Sequence, residues 1–100
     1  MNRKLRVSRR YIAEFNRCTG DNIERVIRKL QRRGYDIERL PHLTSIRIRR
    51  PQDVSFAAFR DELRGHLQPR RGGLLLHSNS GKSWVCSMKG NRPGTFIRVM

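Results

Sequence analysis

The side chains in this sequence best equipped for chemistry are guanidiniums. Nineteen arginines and four lysines stand against eight acids in 100 residues, a formal net charge of +15. Guanidinium is a planar fork that donates two parallel hydrogen bonds to a phosphate or to the edge of guanine, which an ammonium does not. A field of this strength draws the chain onto a polyanion through counterion release, whatever the fold. The same forks pair with carboxylates, so the competing partner is an acidic protein surface, including one on a host nucleoprotein machine such as a nuclease. Residues 1–50 hold 15 basic and 5 acidic side chains, a net of +10, against +5 from 8 and 3 in residues 51–100. The candidate nucleic-acid contacts are Arg9, Arg10 and Arg17; Arg25, Arg28, Lys29, Arg32 and Arg33; Arg47, Arg49 and Arg50; and the connector pair Arg70-Arg71.

Other reactive groups are sparse. His42, His66 and His77 share no motif spacing and have no cysteine or carboxylate at ligand spacing, so no metal is expected. Histidine with arginine is enough for a small basic ribonuclease, which is the third reading. The carboxylates are too scattered for a two-metal nuclease, and the chain reads as a binder rather than an enzyme. Ser80-Gly81-Lys82-Ser83 has the ending of a phosphate-binding loop, but Leu76 stands where the earlier glycine belongs. A hairpin turn is the expected reading there, and no cofactor follows from it. Cys18 and Cys86 lack C-x-x-C spacing and read as two buried thiols of a reducing, cytoplasmic setting. No apolar stretch follows Met1–Arg6, so no secretory signal is expected, and the run Leu74–Leu76 is far too short to span a membrane.

The elements that must position these groups follow from periodicity. Residues 8–17 read as a short helix capped by Ser8, with Ile12 and Phe15 on one face beside Tyr11. Residues 21–33 read as a helix: Ile23, Val26, Ile27 and Leu30 form one stripe, Thr19 or Asp21 is the cap, and Gly34 is the stop. Tyr35–Leu40 and Ser45–Arg50 alternate and read as a strand pair. A helix opened by Pro51–Asp53, with Asp53 as cap, runs to about Leu67. Pro69 stops it, and Arg70-Arg71-Gly72-Gly73 is a mobile connector. Strands at 73–77, 84–88 and 96–99, with turns at 79–81 and 91–94, make a meander. Leu74, Leu76, Trp84, Cys86, Phe96 and Val99 form its core face.

Ala13, then Thr19 six residues later, the stripe Ile23, Ile27 and Leu30, and Gly34 closing before Tyr35-Asp36-Ile37 form one run. It resembles the second and third helices of a winged helix-turn-helix domain of the biotin-operon-repressor type, over residues 8–50. The resemblance implies a recognition helix at 21–33 for the major groove, DNA favoured over RNA, and a wing at 35–50 with Arg39, Arg47, Arg49 and Arg50 near the backbone.

The expected architecture is therefore α+β: two N-terminal helices and a short strand pair, a third helix, then a three-stranded antiparallel meander. It forms one small domain of residues 1–100, with a helix-turn-helix-like half at 1–50 and a helix-plus-meander half at 51–100. Size and charge suit an accessory or regulatory factor of a phage or mobile element.

Overall fold

Tyr11, Ala13 and Phe15 alternate with Ile12 and Glu14, and this two-residue period decides the middle of the fold. In the computed structural model, which describes residues 9–41 and 44–100, they form strand β1 (Arg10–Asn16). Ser8, the stretch Met1–Arg6 and His42 lie outside the described residues. The helix expected over 8–17 is thus corrected to a strand. Its three alternate side chains are 0–5 % exposed, because β1 has a partner on each side and helices over one face.

Helix α1 (Gly20–Arg32) follows, capped by Thr19, whose Oγ1 accepts from the Asn22 N–H at 3.2 Å. Ile23, Val26, Ile27 and Leu30 are its buried stripe, and Gly34, at φ +93°, turns the chain where an L side chain would be strained. Strands β2 (Asp36–Arg39) and β3 (Ser45–Arg49) pair antiparallel, with Ile37 opposite Ile48.

Helix α2 (Phe56–Arg64) is shorter than expected. Ser55 caps it rather than Asp53, its Oγ accepting the Ala58 N–H at 3.1 Å, and three-residue turns carry the chain on to Leu67. β4 (Gly73–Ser78) and β5 (Ser83–Lys89) form a hairpin around the turn at Asn79–Lys82. Two short strands, β6 (Arg92–Pro93) and β7 (Ile97–Arg98), pair with β5.

The meander is not a separate layer. β4 pairs along β1 from Tyr11 to Asn16, so one antiparallel sheet runs β2-β3-β1-β4-β5-β6, with β7 also on β5. The first six elements, β-α-β-β-α-β in the order β2-β3-β1-β4, trace the split βαβ arrangement. Two helices against seven antiparallel strands replace the expected three helices. The helix pair that carried the winged-helix resemblance is absent from the described residues.

Both helices lie on one face. Ile23, Leu30, Phe59 and Leu63 share a single core cluster with Tyr11, Phe15, Ile46, Ile48, Leu74, Leu76 and Cys86. The Phe59 ring lies 4.9 Å from Tyr11 and 5.9 Å from Tyr35. Trp84 is half-buried against Phe56 at 4.7 Å, and Val99, expected in the core, is exposed. Cys86 is buried and Cys18 half-buried, both free, and burial raises the pKa of each thiol. No described element packs on the opposite face of the sheet.

Candidate nucleic-acid interface

Because α1 buries one stripe, its other side must face solvent. Arg25, Arg28, Lys29 and Arg32 form that crest, all exposed, and none has an ion pair among the described residues. The reason is where the acids go. Glu24 pairs with Arg39 on β2, and Glu62 of α2 accepts from Arg33 Nε at 2.6 Å. Glu38 accepts from Arg47 at 2.7 Å, Asp61 from Arg64 at 3.0 Å, and Glu14 bonds His77 at 2.8 Å. Five of the eight acids are thereby engaged away from the crest. Asp21, in the first turn of α1, complements the helix dipole.

His66 lies beside the crest. This ring lines a small groove of about 140 Å³ between α1 and the end of α2, with Arg25, Val26 and Lys29 opposite. Burial lowers its pKa first. Glu62 pulls the other way, and Lys29 and Arg33 push it down further.

The crest continues to the loop end of the sheet, where β1 finishes opposite Gly73 and the chain enters α1. Arg17 and Arg70 both take left-handed backbone there, at φ 57° and 72°. The expected mobile connector is pinned: Arg70 N–H donates to Gly90 O at 2.6 Å and Arg70 Nε to Asn91 Oδ1 at 3.3 Å. Gly72 is buried, and a Cβ there would sit 2.4 Å from the Gln68 backbone, so only glycine fits. Arg70 and Arg71 themselves remain exposed.

The remaining candidates divide. Arg9 and Arg50 are half-buried; Arg50 Nη1 donates to Val54 O at 2.7 Å and its N–H to Arg9 O, so both fasten the chain entering α2. Arg10, Arg47 and Arg49 stand exposed on the open face of the sheet, away from the crest. The single basic face read from sequence is therefore two groups on opposite sides of the sheet.

One polar group on that open face escaped the sequence reading. His77 Nε2 lies 2.8 Å from Glu14 Oε2, and Nδ1 lies 2.8 Å from Ser83 Oγ. A carboxylate only accepts, so Nε2 is the donor to Glu14, and Nδ1 faces the Ser83 hydroxyl. A carboxylate–imidazole–hydroxyl line has the form of an activated nucleophile. Ser83, however, is 6 % exposed, and the backbones of Val99 and Met100 hydrogen-bond along it. The line therefore fixes the ring rather than presenting a hydroxyl. His66 and His77, the two described histidines, lie on opposite sides of the sheet and form no pair.

No protein-family model, curated protein or solved structure matches this chain.

Proposed function

We propose that this protein is a small, strongly basic nucleic-acid-binding protein that works by binding, gripping phosphates with the α1 crest and the adjoining Arg17, Arg70 and Arg71. The observation that carries the reading is the uncompensated crest: four cations on one helix face, while the neighbouring acids are committed elsewhere. Phosphate contacts position a protein without reading bases, so duplex binding of weak sequence preference is the expected mode. The test is fluorescence anisotropy with random-sequence duplex DNA and duplex RNA at 50 mM salt. Absence of binding to both would end the proposal.

A protein partner is the second reading, with the same arginines docking on an acidic surface of a nucleoprotein machine. It is favoured by exposed apolar side chains on and beside β7: Ile97 at 60 %, Val99 at 54 % and Met100 at 74 %. Salt separates the two readings, since a packed apolar centre loses much less affinity with ionic strength than phosphate contacts do.

A further inference from the structure

We propose that the open sheet face carries a second, separate site: a pocket for the phosphate group of a nucleotide, built on Arg10 and Arg47 beside His77. It goes beyond the backbone grip of α1 and does not depend on it.

Three guanidiniums reach this face from two neighbouring strands, at the end of the sheet away from the Thr19 cap. Arg10 of β1 stands directly opposite Arg49 of β3, and Arg47 stands opposite Ile12. Like charges placed directly opposite each other in a sheet repel. The acids nearby offer partial relief. Glu38 takes one nitrogen of Arg47, Glu14 is held by His77 and Asp36 stands opposite Arg49 on β2, but neither Arg10 nor Arg49 has an ion pair among the described residues. A bound anion removes this repulsion.

The space for it is present. A cavity of about 420 Å³ opens between Arg10, Ile12, Arg47, His77 and Asn79, within the size range of small-ligand sites. Its rim is fixed: Asn79 N–H donates to Arg10 O at 3.0 Å, and the Ser78 hydroxyl accepts from Lys82 N–H at 3.0 Å, tying the hairpin turn to β1 and to itself. A second cavity of about 230 Å³ shares Arg10 and Arg47 and adds Arg49, with the carboxylates Asp36 and Glu38 also in its wall.

The donor set selects the ligand. One fork satisfies the two oxygens of a carboxylate, whereas two forks from different strands, with an amide beside them, suit the three or four oxygens of a phosphate. His77 has both ring nitrogens engaged, so what it offers a ligand is the surface of its ring. Together with Ile12 it makes a flat, weakly polar wall of the kind on which a base packs. A phosphate on the arginines with a base against this wall is a nucleotide, either free or at the end of a single strand.

The experiment follows backbone amide shifts by NMR. The probes are adenosine 5′-monophosphate, adenosine, and tetrathymidylate with a 5′-phosphate or a 5′-hydroxyl. The proteins are wild type, Arg10→Gln, Arg47→Gln and the crest variant Arg25→Gln/Arg28→Gln/Lys29→Gln/Arg32→Gln. The monophosphate should shift residues 10–12, 47 and 79–81, and adenosine should bind roughly ten-fold or more weakly, the worth of charge-assisted hydrogen bonds. Arg10→Gln and Arg47→Gln, both at exposed positions, should weaken the monophosphate similarly, and the crest variant should bind it as wild type does. Tighter binding of the phosphorylated tetranucleotide than of the monophosphate assigns a strand end, and the reverse assigns a free nucleotide; either supports the pocket. Equal binding of adenosine and its monophosphate, or wild-type affinity in Arg10→Gln, overturns it. Loss of duplex binding in the crest variant bears only on the α1 reading, so the two proposals fail separately.

Discussion

Neutralising the crest of α1 gives a change whose size follows from the helix itself. Arg25 and Arg32 are seven residues apart, about 10.5 Å along the axis at 1.5 Å per residue. One strand of a duplex carries a charge about every 3.4 Å, so the crest spans about three phosphates, and four cations make at most about four contacts. Each contact contributes about 0.9 to the slope of log affinity against log salt. Replacing Arg25, Arg28, Lys29 and Arg32 with glutamine should therefore flatten that slope by about 2.7 to 3.6. Between 50 and 200 mM salt, wild type should lose roughly 40- to 150-fold more affinity than the variant. Fluorescence anisotropy with a random-sequence duplex across that range measures it. The fold should not interfere: all four positions are exposed, and glutamine matches arginine and lysine in helix propensity. Removing like charges three and four residues apart should leave the melting temperature unchanged or slightly raised. A slope that falls by less than about one would show that phosphates do not sit on this face.

Three further outcomes test the fold and its titration. Ile27→Asp places a charge in the buried stripe of α1 and should unfold the protein, removing its cooperative thermal transition; a preserved transition would show that the stripe is not core. Trp84→Ala should destabilise by about 2 kcal/mol, half the cost of deleting a fully buried ring, as read from urea melts, because Trp84 is half-buried against Phe56. His66 is held below the ordinary histidine value of about 6.5, chiefly by burial. Below that pH the unfolded chain binds a proton that the folded chain refuses, so stability should fall as pH drops from about 6.5 toward the folded value. His66→Gln should flatten this stretch of the urea-stability profile; an unchanged profile would mean that the ring is not buried neutral.

The sequence reading succeeded where one local period dominates a long enough segment. Thirteen residues with a single apolar stripe specified α1, and the alternation around Ile46 and Ile48 specified β3. It failed at β1, where seven residues carry two periods at once. Ile12 and Phe15 fit a helix face, Tyr11, Ala13 and Phe15 fit a strand face, and Ala13 and Glu14 favour helix by propensity. Only the pairing of β1 with β3 and β4 settles it, and those partners are remote in sequence. The candidate arginines were visible as residues but not as faces. Arg10, Arg47 and Arg49 meet on the open face because β1 and β3 share a register. Glu14 and His77 are 63 residues apart, and no local signal joins them.

The central place of β1 also sets an order of assembly. Its pairing with β4 joins Asn16 to Gly73, a separation of 57 residues, and its pairing with β3 joins Glu14 to Ser45. At synthesis rates of about 5–20 residues per second, roughly 3 to 11 s separate the making of β1 from the making of the strand that closes it. For that interval the nascent chain holds a strand with three core side chains and at least one edge unpaired, and such edges recruit other chains. Arg10 and Glu14, charged and set on alternate positions of β1, are the kind of residue that discourages that recruitment, so the side chains that later build the open face first serve as guards of an unfinished sheet.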